Sequence, residues 1–315
     1  MDYVFTSRSI RSGKFSNEPG ATHFLSIPST ADDVDTAHKS TKTQWVKDVQ
    51  ALACPNPGVH AQDGNIVIYV HGFNNSTADM LSRHRKIKAR LEALNFNGIV
   101  VSYDWPSANT ALNYLEDRKD AKLTALKLVD DGISTFAALQ RPDCRINVHV
   151  LAHSMGCFVV REAFDDADDR PAVAARSWSV SQVLLVAGDI SAGSMSEGNS
   201  KSSSIYRHCN RLTNYYNPMD EVLTVSNAKR IGVAPRVGRI GLPDSVPRKA
   251  VDIYCGAYFK AHQDNFPSGI STAHTWYFDD PNFLEDVFHT LNGALDRNEI
   301  PTRAPTNTGG LALKP

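Results

Sequence analysis

The chain has 315 residues, 42% of them hydrophobic and 21% charged, with a formal net charge of -1. That is enough to bury a large α/β core, and the near-zero charge gives no global electrostatic pull toward nucleic acid or anionic membrane. No segment approaches the ~20 apolar residues of a membrane span. Taken in chain order, four apolar runs at residues 66–70, 98–103, 146–151 and 183–187 read as strands buried on both faces, as parallel strands are. Residues 211–216 and 250–254 are weaker strand candidates. Between the runs lie helical patterns. Met80, His84, Ile87, Leu91 and Leu94 form one stripe of a helix over 77–94, with Ser76 or Thr77 as its N-cap. Leu126, Val129, Ile133 and Phe136 form another within 109–140, which Arg141-Pro142-Asp143 ends. Residues 155–164 and 282–295 read as further helices. Alternating strands and helices predict a mostly parallel central sheet with helices on both faces.

Three regions break this rhythm. Residues 10–63 read as irregular, with a strand or hairpin at each end. Residues 191–204, rich in Ser and Gly, read as a mobile loop, and residues 230–248, rich in Gly, Pro and Arg, as a cover for a pocket. Both are candidate lids within one domain spanning 1–300. Residues 301–315 carry Pro, Thr, Gly and little else and read as a disordered tail. The basic cluster Arg83, Arg85, Lys86, Lys88 and Arg90 reads as a solvated helix face. The five cysteines are widely spaced with no CxxC, so neither a disulfide framework nor a structural zinc is expected. Cys157 and Cys255 read as small core residues. With no apolar leader at residues 1–6, the expected setting is cytoplasmic.

The chemistry centres on Val148-His149-Val150-Leu151-Ala152-His153-Ser154-Met155-Gly156-Cys157. A serine between an apolar strand and a helix, flanked by small residues, is the sequence of a nucleophile elbow, with Ala152 in place of the first glycine of G-x-S-x-G. The competing reading of Ser154 is a plain helix N-cap. A serine nucleophile needs a base, an acid and an oxyanion hole. In this chain order the base follows the serine, leaving His208, His262, His274 and His289. His274, in a loop before the last helix, is the first choice and His262 the second. Asp220 after the 211–216 strand is the preferred acid, and Asp189 at the end of 183–187 competes with it. The oxyanion donors are expected to be the backbone N–H groups of Met155 and of Phe73, in the loop Val70-His71-Gly72-Phe73-Asn74-Asn75 after an early strand. His71, Asn74, Asp104, Trp105, His153 and Asp189 are candidates to line the substrate pocket.

Five segments together resemble a known family: Val70-His71-Gly72-Phe73-Asn74-Asn75, Tyr103-Asp104-Trp105-Pro106-Ser107, Leu151-Ala152-His153-Ser154-Met155-Gly156, Gly188-Asp189-Ile190 and Tyr216-Asn217-Pro218-Met219-Asp220. They look like the motifs of the bacterial alpha/beta hydrolases grouped as DUF900, over about residues 60–280. Phe5-Thr6-Ser7-Arg8 is similar to the strand with which such proteins begin. The resemblance implies an alpha/beta-hydrolase fold and an esterase-like or lipase-like activity through a Ser-Asp-His triad.

The sequence thus predicts a serine hydrolase in which Ser154, Asp220 and His274 cleave a small-molecule carboxylic ester through an acyl-enzyme. No metal or organic cofactor, no nucleic acid and no stable membrane association are expected, and homo-oligomer formation is left open. Amide, thioester or acyl-transfer chemistry on the same residues, and a non-catalytic binding module of the same fold, are the rival readings.

Overall fold

Apolar residues alternate along the central strands and divide the molecule into two cores, one on each face of a sheet. In the computed structural model, which describes residues 1–53, 64–107, 114–138, 146–171, 178–228 and 234–315, β4 (Gly64–Val70) sends Ile66, Ile68 and Val70 to one face and Val67 and Tyr69 to the other. β6 (Ile146–His153) and β7 (Val180–Val186) alternate in the same way. The helices Lys42–Ala53, Met155–Asp168 and Ser200–His208 cover the first face. Thr77–Ala93, Gly256–His262 and Pro281–Asn292 cover the second. A sheet buried on both sides needs strands that are mostly apolar on both faces, which is why the sequence shows these strands as apolar runs.

The described residues contribute eleven strands to one sheet, in the order β10-β11-β9-β8-β7-β6-β4-β5-β1-β2-β3. The run from β11 to β1 is parallel throughout. It includes β5 (Ile99–Asp104), β8 (Cys209–Tyr216) and β9 (Ala250–Tyr254). The two weaker strand expectations are therefore observed as β8 and β9. Both edges are antiparallel additions.

On one edge, β1 (Asp2–Arg11) and β2 (Lys14–Ile27) form a long hairpin, and β3 (Lys39–Ser40) adds to it. Residues 10–53 are thus more regular than expected: much of β2 and the helix Lys42–Ala53 fall there. The helix is pinned by Trp45, fully buried among Tyr3, Phe5 and Phe24, with its indole N–H donating to Leu25 O at 2.9 Å.

On the other edge, β10 (Arg303–Pro305) and β11 (Leu311–Leu313) pair with each other, and β11 pairs with β9. The tail read as disordered is therefore part of the sheet. Its composition carried no signal, because what orders it is remote. Leu311 and Leu313 enter the second core, and Arg303 meets Asp286 of the last helix at 2.7 Å with both side chains buried.

Other expectations are refined. Residues 191–204 hold the turn Ala192–Met195 and the start of the helix Ser200–His208, with Met195 and Ile205 buried. Of 230–248, residues 234–248 are described; Arg236, Val237 and Gly238 are buried against the strand ends rather than poised as an open lid. The helix expected over 109–140 appears as Tyr114–Lys127, a π-turn over Leu128–Ile133 and a last turn Ser134–Ala137. The widened turn lets Gly132 sit against the Phe5 ring, where a Cβ would lie 2.6 Å from Phe5 Cζ. Its expected start at 109 and end at 141–143 lie outside the described residues. The basic face of Thr77–Ala93 is not merely solvated: Arg85 and Lys88 bind the buried Asp2, and Arg90 binds Glu285. Cys157, Cys209 and Cys255 are buried free thiols, while Cys54 and Cys144 lie outside the described residues. Among the described residues no helix is long and apolar enough to cross a membrane.

One core polar group makes stability depend on pH. His149 on β6 is buried, with Nε2 3.0 Å from Asn65 Oδ1, and burial pushes its imidazole down from 6.5 to about 3. The unfolded chain therefore binds a proton below pH 6.5 that the folded chain refuses, and stability falls as pH drops from about 6.5 toward 3. His149→Gln keeps an amide for Asn65 but cannot titrate. It should lose about 2 kcal/mol less than the wild type between pH 6.5 and 4.5 in urea unfolding, from ~1.4 kcal/mol per proton and pH unit. Equal losses in the two proteins would refute this.

Candidate active site

Ser154 stands between β6 and the helix Met155–Asp168 with φ 55° and ψ -123°. An L-residue with a Cβ is strained there, at a cost of roughly 1–3 kcal/mol, so the surroundings must hold it. They do so through both of its backbone groups. Ser154 N–H donates to Val186 O at 2.9 Å, and Ser154 O accepts from Asp189 N–H at 3.0 Å and Cys157 N–H at 3.1 Å. Its side chain makes no capping bond, which removes the N-cap reading. The small flanking residues have a steric cause. A Cβ on Gly156 would meet Val70 O at 2.4 Å and His71 O at 2.5 Å, and one on Gly72 would meet Ser154 Cβ at 2.8 Å. The elbow and the loop after β4 are in backbone contact.

Asp220 and His274, 54 residues apart, meet on top of the sheet. His274 Nδ1 lies 2.6 Å from Asp220 Oδ2, with both side chains buried. A carboxylate oxygen accepts, so the Nδ1–H donates and the neutral ring leaves Nε2 as its lone-pair nitrogen. Asp220 follows β8, the next strand but one from β6 in the sheet. The Asn217-Pro218 turn lifts it there: Asp220 N–H donates to Asn217 O at 3.0 Å, and Asp220 Oδ1 caps the following helix through Leu223 N–H at 3.2 Å. His274 lies in a short helical turn, Thr272–Thr275, rather than in the loop expected, and that segment is gripped at two successive carbonyls. Asn217 Nδ2 donates to Ala273 O at 3.2 Å and His153 Nε2 to His274 O at 2.8 Å. The side chain beside Ser154 thus reaches the backbone of His274, and the His153 and His274 rings lie 4.8 Å apart. Burial, first of all, together with the nearby His274, pushes the His153 imidazole well below its usual range, so it stays neutral. The other histidines lie elsewhere. His208 stacks on Trp178 beside Asp168, His262 stacks on Tyr258, and His289 lies 4.0 Å from Glu285.

Of the expected oxyanion donors, Met155 is the first residue of its helix, where N–H groups have no intrahelical acceptor. Phe73 follows Gly72 in the loop beside Ser154. Asn74 takes φ 54°, which Asn tolerates, and Asn75 Nδ2 donates to Gly72 O and Phe73 O at 2.8 and 2.9 Å.

The expected pocket-lining residues divide. Asn74 is exposed beside the elbow, whereas His71, Asp104 and Trp105 are fully buried and cannot line a pocket. They form the underside of the loop. His71 Nε2 is 3.0 Å from Asp104 Oδ1, its ring stacks on Trp105 at 5.5 Å, and Trp105 Nε1 donates to His71 O at 2.8 Å. His153 is likewise buried, as a strut. Asp189 faces Arg236 at 3.1 Å, both buried, while its N–H supports the elbow.

Sequence reasoning placed the Asn217-Pro218 turn under Asp220 but missed the Asn217 side-chain bond to Ala273 O, and it missed Arg236 and Arg8 as parts of this support. Arg8 appeared only within the Phe5-Thr6-Ser7-Arg8 resemblance. A cleft of about 860 Å³ opens beside the acid and base loops. Met219, Phe259, Phe266 and Ile270 line it together with Glu221 and Arg239.

The chain is similar to several solved structures at low identity. A cutinase-like protein from Cryptococcus sp. shares 13% identity over 76% of this chain and 94% of its own, with TM-score 0.36. The Saccharomyces cerevisiae peroxisomal alpha-beta-hydrolase Lpx1 shares 9% over 87% and 89%, with TM-score 0.32. The metagenomic carboxyl esterase MGS0156 shares 14% over 62% and 50%, with TM-score 0.26. No curated protein matches the chain. The family model described as alpha/beta hydrolase of unknown function (DUF900) matches residues 58–281, from β4 through the base loop. With its mostly parallel sheet covered by helices on both faces, the protein has the alpha/beta-hydrolase fold and belongs to the DUF900 family.

Proposed function

We propose that the protein is a serine esterase. Ser154 Oγ attacks the carbonyl of a carboxylic ester. His274 Nε2 takes the hydroxyl proton and returns it to the leaving alcohol, and Asp220 holds the ring in the Nδ1–H form and stabilises the imidazolium. Backbone N–H groups of Phe73 and Met155 stabilise the oxyanion, and water then releases the acid from the acyl-enzyme. The observation that carries this reading is the buried 2.6 Å contact of His274 with Asp220, in a segment whose next carbonyl bond runs to the neighbour of a strained, uncapped Ser154. A plain structural serine has no reason to occupy that conformation.

The test is covalent labelling. A fluorophosphonate should add to Ser154 in one equivalent, located by peptide mass spectrometry, and Ser154→Ala should take up none. Labelling elsewhere, or none with folded protein, overturns the proposal in favour of a binding module. Faster turnover of p-nitrophenyl thioesters or anilides than of the matched esters would move the reading to thioester or amide chemistry.

A further inference from the structure

The structure assigns Arg8, Asp104 and His71 as a buried relay of positioning residues that aims the Phe73 N–H at the oxyanion, an assignment that rests on the esterase reading above. The relay starts on the N-terminal hairpin. β1 pairs with β5 as far as Thr6 and Asp104, and Arg8 lies just beyond that pairing. Its Nε donates to both Asp104 oxygens, at 3.0 and 2.8 Å, and one terminal nitrogen donates to Trp105 O at 3.2 Å. Thr6 Oγ1 adds a bond to Asp104 Oδ2 at 2.6 Å. The second Asp104 oxygen faces His71 Nε2 at 3.0 Å. Burial by itself would raise the Asp104 carboxyl, but Arg8 and His71 outweigh it and hold the group ionised, well below the usual carboxylate range.

The relay ends on a carbonyl. His71 Nδ1 lies 2.8 Å from Gly72 O and Nε2 3.0 Å from the Asp104 carboxylate; both oxygens only accept, so the two contacts are hydrogen bonds together when each ring nitrogen carries a proton. Asn75 Nδ2 donates to the same oxygen at 2.8 Å. The Gly72–Phe73 peptide is planar and trans, so its C=O and N–H point in opposite directions. Pinning Gly72 O into the buried side therefore turns Phe73 N–H to the opposite edge of the peptide. Gly72 itself is packed on Ser154, where a Cβ would come within 2.8 Å of Ser154 Cβ. Two donors on the carbonyl also polarise the peptide and strengthen its N–H as a donor. Arg8 is in direct contact with neither substrate nor Ser154 in this scheme. It acts through Asp104, His71 and one peptide plane. The family match begins at residue 58, so the hairpin lies outside the matched residues while its arginine helps to form the site.

The test is a double-mutant cycle on the full chain with p-nitrophenyl acetate. Arg8→Met and His71→Phe should each lower kcat about 10–100-fold with KM changed less than about twofold, since loss of one oxyanion donor costs ~10²–10³-fold. The double variant should be no slower than His71→Phe alone, because both changes disable one device. Thermal melts establish that the variants fold, and Asp104→Asn, nearly isosteric, replaces His71→Phe if the latter does not. Additive losses, or folded variants with wild-type kcat, overturn the relay and leave the esterase reading intact. A folded wild type that neither labels with fluorophosphonate nor turns over ester overturns both.

Discussion

Ser154→Ala is expected to lower kcat for p-nitrophenyl esters by about 10⁴–10⁶-fold, with the fold and the melting temperature unchanged. The magnitude follows from how a nucleophile, base and acid act as one unit, where loss of any member forfeits most of what the set provides. The position makes the result diagnostic. Ser154 adopts its strained φ through backbone bonds to Val186, Asp189 and Cys157, none of which uses the hydroxyl, and its side chain caps nothing. Removing Oγ therefore leaves the elbow's own bonding intact, so a fall in rate reports chemistry rather than unfolding. His274→Ala should fall in the same range. Asp220→Asn should be milder, because asparagine keeps the side chain's shape and the backbone that carries His274 stays held through the carbonyls of Ala273 and His274. Steady-state kinetics with circular dichroism on each variant checks the series. Undiminished turnover in Ser154→Ala would remove the esterase proposal.

Arg303→Met is expected to cost about 3–5 kcal/mol of stability, because it strands a buried charge. Asp286, in the last helix, is fully buried. One of its oxygens accepts from Tyr215 Oη at 2.7 Å and Arg303 Nη2 at 2.7 Å. The other accepts from Thr302 Oγ1 at 2.6 Å and Arg303 Nε at 2.8 Å. Removing the guanidinium leaves an ionised carboxylate with only neutral donors and releases the strand pair β10 and β11 from the sheet edge. Arg303→Lys keeps a charge but not the two-pronged geometry, and should recover only part of the loss. Urea unfolding followed by tryptophan fluorescence measures both variants. A change under about 1 kcal/mol in Arg303→Met would mean that the tail does not dock as described.

The sheet's interior was readable along the chain because each parallel strand is shielded on both faces, so β4, β5, β6 and β7 appear as predominantly apolar runs rich in Val, Ile and Leu. The edges were not. β1 carries Thr6, Ser7 and Arg8 inside the protein, where they are matched by Asp104, and a polar strand whose partner lies 96 to 98 residues away has no local pattern to recognise. The same holds for residues 301–315, whose order depends on Asp286 and on the free edge of β9. Residues 191–204 read as a mobile loop by composition, yet Met195 within them and Ile205 just after them anchor the segment in the first core.

For the site, the sequence alone determined the elbow and its order in the chain, because a serine at a strand-to-helix turn between small residues is a local steric requirement. The same local reasoning proposed Asp220 and His274, and left four histidines and two aspartates in competition. Only the tertiary structure decided that His274 is the one that faces Asp220, that Asp189 is turned to Arg236, and that His71, Asp104 and Trp105 lie buried beneath the loop after β4. The physical reason is range. A backbone conformation is set by neighbours in the chain, whereas the pairing of two buried polar side chains is set by which strands lie side by side and by the cost of leaving either group without a partner.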